Sequence, residues 1–207
     1  NLDNATLTAG SLEVTALEDA IIKATADSTA ESSGGSAYGS GTSLAINGII
    51  ATNLILGHAH ATITNSTVET TGDLAVDAEN SSVIDAINKS FTLSGDTGLS
   101  ATLAFNTVGW DAQNVLFDTI DALIGTDIGT ENPVTTKATV DESNLDVGGN
   151  LSLTADSTAS IEAWITNETE SAAQALMNAS SFALGGILSS NMVSSSAEAW
   201  INHSSSA

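Results

Sequence analysis

The stretch GDLAVDAENSSVIDA, from Gly72 to Ala86, occurs in three related versions along this 207-residue chain. The earlier version reads AGSLEVTALEDAIIKA (Ala9–Ala24), and the later one reads GGNLSLTADSTASIEA (Gly148–Ala163). Apolar residues keep equivalent positions while the charged residues between them change, which is typical of a structural repeat. The residues that we predict to form the core are Leu12, Val14, Ile22, Leu74, Val76, Ile84, Leu151, Leu153 and Ile161.

Within each version the apolar side chains fall at every second residue, as in Leu74, Val76 and Ala78. A period of two places these side chains on one face of a β-strand. Gly, Asn, Ser and Asp follow, and they suit tight corners. Repeated strands and corners predict an all-β fold, a parallel β-solenoid or β-helix that we expect to be right-handed. A two-sheet sandwich is the alternative, but the Asn47-Gly48 pair lies inside an apolar run and not at a hairpin turn.

The spacing of equivalent residues divides the chain into three long repeats. Leu7 and Val68 are 61 residues apart, and Val68 and Leu145 are 77 apart. We therefore expect one continuous segment with repeats at 1–65, 66–142 and 143–207, the middle one enlarged by an insertion at 117–136. Within NVLFDTIDALIG (Asn114–Gly125), the apolar spacing predicts a short lateral helix.

The length of the repeat suggests how it would coil. Coils of roughly 20 residues would give about three per repeat, and about ten coils would form a rod of roughly 50 Å. The chain begins and ends near the same phase of its repeat, which leads us to expect an excerpt from a longer array.

Charge limits the classes of partner. The chain has 25 acidic residues, three lysines (Lys23, Lys89 and Lys137) and no arginine, so its formal net charge is −22. Nucleic acids and anionic membrane surfaces require basic residues, and we expect neither as a partner. No run of about 20 apolar residues occurs, so no membrane insertion is expected. There is no cysteine to form a disulfide.

The repeated phrase G-(D/N/S)-L-x-(V/L)-x-A, followed by I-x-A, resembles the repeats of giant secreted bacterial adhesins. These are filamentous, haemagglutinin-like and leukotoxin-type proteins built from long parallel β-helices. The segments SLAINGIIATN (Ser43–Asn53) and GGILSSNMV (Gly185–Val193) are similar to the non-polar interludes of that group. The resemblance covers most of the chain outside the insertion. It implies an extracellular or cell-surface rod with an adhesive or scaffolding role, and it implies no catalytic residues.

Two groups of side chains are weak candidates for a metal site. His58 and His60 flank Ala59, so on a strand they would point to the same side. Acidic residues recur where we expect corners, as at Glu79 and Asp156, and Ca²⁺ prefers such oxygen ligands. Neither an EF-hand loop nor a calcium-binding nonapeptide occurs. We expect no cofactor, with Ca²⁺ as the alternative.

Asparagine and tryptophan each recur within the repeat. Asn53, Asn114 and Asn191 share one phase, and with three coils per repeat they would be too far apart to stack on one another. Trp164 and Trp200 both occur in EAWI and are candidates for interaction, either with a sugar ring or with a neighbouring subunit.

The sequence is best explained by a non-enzymatic structural repeat of an extracellular fibre or adhesin. Its coils would stack on copies of itself or on adjoining repeats, in surface adhesion, a matrix or a filament. The alternative is a β-helix module that binds surface glycans or Ca²⁺. A polysaccharide-degrading β-helix enzyme is a remote third, because the paired acids Asp141 and Glu142 have no basic cluster beside them in the sequence.

Overall fold

The computed structural model describes residues 1–33, 42–111, 130–172 and 181–202. In these ranges the regular structure is β-strand throughout, which confirms the all-β prediction. Among them no helix is long and apolar enough to cross a membrane. The helix predicted for Asn114–Gly125 lies outside the described residues, as does most of the insertion at 117–136.

The chain passes three times through one order of strands. The first pass contains β1 (Leu2–Asp3), β2 (Thr6–Ala9), β3 (Leu12–Ser32) and β4 (Leu44–Ile55). The second contains β5 (His58–Thr64), β6 (Thr67–Thr70), β7 (Leu74–Ser94) and β8 (Thr97–Val108), followed by the short β9 (Trp110–Asp111) and β10 (Thr130–Glu131). The third contains β11 (Val134–Asp141), β12 (Asn144–Val147), β13 (Leu151–Ser171) and β14 (Phe182–Val193), after which β15 (Ser195–Asn202) begins a fourth.

Equivalent strands of successive passes form parallel sheets. Their orders are β1-β5-β11-β15, β2-β6-β12, β3-β7-β13 and β4-β8-β14, whereas β9 and β10 form an antiparallel pair. The register places Leu74 between Leu12 and Leu151, and Val68 between Leu7 and Leu145. The strand register therefore pairs the residues that the repeat phrases align.

The expectation of three coils per repeat is wrong, because each repeat adds one strand to each of the parallel sheets. The reason lies in β3, β7 and β13, which run for 21 residues each without a corner. Glu79 and Asp156, predicted at corners, lie within β7 and β13 and pair with each other. The alternation continues beyond the apolar residues through the inward-facing Asn80 and Ser82, which are buried polar residues. A prediction that assumes an entirely apolar core therefore places the end of the strand too early.

The long sheet packs against a second wall made by β4, β8, β14 and the strands that follow them. One apolar cluster joins Leu74 and Val76 of β7 to Ile63 of β5 and Val140 of β11. A second cluster joins Ile84 to Ile55, Val108 and Val134. Fully burying an aliphatic side chain contributes about 1.5–3 kcal/mol, so these two clusters are a major source of stability.

Beyond the second cluster the interior becomes polar. Asn88, Ser90, Thr92 and Ser94 follow one another on the inner face of β7, and all are buried. Across the interior Asn47 accepts a hydrogen bond from the Ser28 hydroxyl (2.6 Å) and donates one to the Ser28 carbonyl (2.9 Å). Small hydroxyl and amide side chains therefore fill the end of the interior where the sequence has few large aliphatic residues.

Two of the corners between the described strands depend on particular residues. At the glycine of the repeated phrase the backbones stack closely: a Cβ on Gly72 would lie 2.7 Å from the Gly10 carbonyl oxygen. The other corner has a left-handed residue in each pass, Asn4 (φ 49°), Asn65 (φ 50°) and Glu142 (φ 46°). Asparagine tolerates this conformation better than glutamate does.

Candidate functional site

His58 and His60 point to the same side of β5, as the sequence predicts, and their ring centroids are 5.7 Å apart. Both rings contact one hydroxyl, that of Thr135 on β11: His58 Nδ1 lies 2.9 Å from Oγ1 and His60 Nε2 lies 2.8 Å from it. A hydroxyl can donate to one neutral imidazole and accept from the other. The Thr135 hydroxyl can therefore bridge the two rings.

Charged neighbours in the same sheet act on this pair. The register places Lys137 between His60 and Glu198, and Lys137 Nζ lies 3.2 Å from Glu198 Oε2. Partial burial, then His58 and Lys137, lower the pKa of His60 below its ordinary 6.5, while Glu198 opposes them. The hydrogen bond and positive charge of Lys137 lower the pKa of the Glu198 carboxyl.

The candidate metal ligands do not converge on one place. His58 and His60 lie on β5, whereas Glu79 and Asp156 lie on the outer face of the long sheet. Within the described ranges, no group of three or more His, Cys, Asp or Glu side chains could hold a metal ion. Asp141 and Glu142, the paired acids, belong to a corner, where Asp141 Oδ1 accepts a hydrogen bond from Asn202 (2.8 Å).

The asparagines of the non-polar segments stack, contrary to the expectation. Asn53 Nδ2 donates to Asn106 Oδ1 (2.8 Å), and Asn106 Nδ2 donates to Asn191 Oδ1 (2.8 Å). The middle member is Asn106 and not Asn114, which lies outside the described residues. Because a repeat is one layer and not three, equivalent residues are adjacent. We call Asn53, Asn106 and Asn191 the asparagine ladder.

A serine network at the left-handed corner was missed in the sequence. Ser66 Oγ accepts from the Ala5 N–H (3.1 Å) and donates to the Thr64 carbonyl (2.7 Å). One pass later, Ser143 Oγ accepts from the Ser66 N–H (3.0 Å). The sequence feature that could have predicted this network is the serine that follows both Asn65 and Glu142 in the aligned repeats. Serine is so abundant in this chain that the match did not stand out.

The two tryptophans lie on different walls. Trp164 is on the outer face of β13 and is 64% exposed, and its indole N–H donates to Glu162 Oε1 (3.0 Å). Trp200 is on β15 and is 40% exposed. The two rings therefore lie on strands of different sheets.

The strands of the first and last passes leave their outer edges unpaired within the described ranges. β3 and β4 are edge strands at one end, and β13 and β14 at the other. The predicted core residues are distributed accordingly: Leu74, Val76 and Ile84 in the middle pass are fully buried. Their counterparts in the end passes pack against the same clusters but remain partly exposed, namely Leu12, Val14, Ile22, Leu153 and Ile161. Leu151 is 39% exposed.

No protein-family model, curated protein or solved structure matches this chain. The structure by itself defines an all-β protein with parallel, in-register sheets. In the described residues, the end strands β3, β4, β13 and β14 each leave one edge unpaired.

Proposed function

We propose that the three passes form a β-solenoid, and that this solenoid is a non-enzymatic structural repeat of an extracellular fibre or adhesin. Its ends would stack on another layer of the same kind, supplied by a second copy or by an adjoining repeat. The single observation that supports this proposal is the in-register pairing of equivalent strands, which leaves a matching row unpaired at each end.

The two ends are complementary for a physical reason. Unpaired backbone groups on an edge strand recruit another strand, and proteins that remain monomeric block such edges. The inward-facing residues at the two ends occupy equivalent positions of the repeat. Leu151 of one copy would therefore pack on Leu12 of the next, as Leu74 packs between Leu12 and Leu151 within the chain. Stacking would then remove the half-exposed core residues from water.

The stacking proposal is tested with an inward-facing charge. Leu151→Lys places an ammonium group in the row that would be covered, and Ser152→Lys places one on the outer face of the same strand. Both substitutions reduce the net negative charge equally, which by itself would favour association. We expect open-ended association in light scattering for the unsubstituted chain and Ser152→Lys, and its loss for Leu151→Lys. Equal association of all three proteins would refute stacking through this end.

Glycan binding is a second candidate function, favoured by the exposure of Trp164 and by the Glu162 carboxylate that holds its indole N–H. A flat exposed aromatic ring with a polar neighbour suits contact with a sugar ring. We expect binding on a glycan array to be lost in Trp164→Ala and kept in Trp200→Ala if this ring is the contact. Binding that is equal in both variants and in the unsubstituted chain would exclude Trp164.

A further inference from the structure

The two outer faces of the molecule differ sharply in charge. On the long sheet the outward residues of β3, β7 and β13 are rich in acids and include only two lysines, Lys23 and Lys89. The acids are Glu13, Asp19, Asp27, Glu31, Asp77, Glu79, Asp85, Asp156, Glu162, Glu168 and Glu170. By contrast, β4, β8 and β14 contain no charged residue at all. We call the outward side chains of these three strands the uncharged strip.

The uncharged strip exposes large aliphatic side chains in rows. Ile46, Leu99 and Leu184 form one row, and Ile50, Leu103 and Leu188 form another. Several members are well exposed, including Ile46 (65%), Ile50 (60%) and Leu184 (57%). A contiguous exposed apolar patch on a chain of net charge −22 is a candidate protein–protein contact site.

A shallow groove separates these two rows. Its floor is Gly48, Ala101 and Gly186, which pair with one another across the three strands. A Cβ on Gly48 would meet only the Ala101 carbonyl oxygen at 3.9 Å, and one on Gly186 would meet nothing within 4 Å. Neither glycine has a positive φ. Packing and backbone geometry in the chain itself therefore give no reason for glycine here, although glycine weakens a strand.

We infer that the uncharged strip is a lateral interface with a second copy of this chain. Glycine in a strand commonly marks the close approach of another backbone or side chain, and here a row of aliphatic side chains would fill the groove. The strip presents both the aliphatic rows and the groove, so two identical strips can interlock about a two-fold axis. This contact is distinct from stacking at the ends, and it does not depend on it.

Charge favours a second copy over other partners. Packed sheets lie about 10 Å apart, so two molecules facing through their strips would hold their acidic faces about 30 Å apart. That distance exceeds the Debye length of about 8 Å at physiological salt. Association through the acidic faces would instead bring like charges together. A basic partner would be attracted to the acidic face and would leave the strip free.

The area of the strip sets the strength of the contact. Twelve residues by three strands span about 40 Å by 14 Å. Two facing strips would bury about 1,100 Å² in total, close to the lower limit for a specific interface. We therefore expect a weak dimer that depends on protein concentration. Each further pass in a longer stack would widen the strip and strengthen the pairing.

The test uses the Leu151→Lys chain, so that end stacking does not contribute, and sedimentation velocity over a concentration series. We expect a dimer at twice the 20.8-kDa chain mass, without larger species. Adding Gly48→Val and Gly186→Val fills the groove, and should weaken the dimer at least tenfold while the thermal midpoint stays equal or rises. The control, Ser81→Val with Ser160→Val, places the same two valine side chains on the acidic face and should leave the dimer unchanged.

A second measurement covers the case in which the glycine variants fold poorly. The chain has no cysteine, so Ala101→Cys introduces a single thiol at the groove floor and Ser81→Cys one on the acidic face. A short bifunctional maleimide should link two copies of the Ala101→Cys variant and should not link two copies of the Ser81→Cys variant. A monomer at every concentration, a dimer indifferent to the glycine substitutions, linkage only at 81, or binding to neutral lipid vesicles without self-association would each overturn the inference.

Discussion

Individual side chains in this protein repeat their roles from pass to pass, and the exceptions carry a cost. The left-handed corner shows this most clearly, because two passes use asparagine and the third uses Glu142. The histidine pair is another exception, since His58 and His60 have Thr135 and Lys137 as their register partners on β11.

We expect Glu142→Asn to stabilise the protein by roughly 1 kcal/mol, because asparagine tolerates the left-handed conformation with less strain. Glu142→Gln removes the same charge without that tolerance and should have a smaller effect. Chemical denaturation of the three proteins measures the difference. Equal gains in both variants would show that charge, and not backbone conformation, limits this corner.

We expect the pKa of His60 to lie below 6.5, measured by NMR titration of its ring. His58→Asn and Lys137→Met each remove a group that lowers this pKa and should raise it, whereas Glu198→Gln should lower it further. The neutral ring is favoured in the folded state. The contribution of His60 to stability is therefore complete above pH 6.5 and is lost as the pH falls through the lowered pKa. An upward shift in Glu198→Gln would contradict these assignments.

Strands and ladders explain which features of the fold were predictable. The alternation of Leu74, Val76 and Ala78 and the alignment of the repeat phrases predicted strands in parallel register, because apolar periodicity records which side faces inward. The number of residues in one strand layer was not predictable from apolar periodicity. Inward-facing Asn88, Ser90 and Thr92 have the composition of a loop, and only the opposite wall shows that they fill an interior.

The asparagine ladder was missed for the same reason, since its geometry depends on the size of a layer. We expect Asn106→Leu to destabilise the protein by roughly 1–3 kcal/mol, because it leaves the buried side-chain amide of Asn53 without its acceptor. Replacing all three asparagines by leucine should restore most of that loss. Denaturant unfolding measures the stability of both variants. A triple variant less stable than Asn106→Leu would show that the ladder stabilises the protein by more than the hydrogen bonds its amides make to one another.

The molecule as a whole combines a strongly acidic outer face, an uncharged strip and two open ends. Repulsion between copies opposes both proposed contacts, and dissolved salt screens it. We expect association to strengthen as NaCl rises from about 10 mM to about 150 mM, measured by sedimentation velocity. MgCl₂ at equal ionic strength should act alike if screening is the cause. A much larger effect of Ca²⁺ than of Mg²⁺ would instead indicate a specific cation site.

End-to-end stacking requires that each repeat forms one strand layer and that the end layers accept another. Cryo-electron microscopy of the concentrated protein at physiological salt would show this directly. We expect filaments whose strands continue across the junction between copies at a spacing of about 4.8 Å, with Asn191 of one copy beside Asn53 of the next. Discrete particles with covered ends, or a junction where the strand spacing is broken, would contradict it.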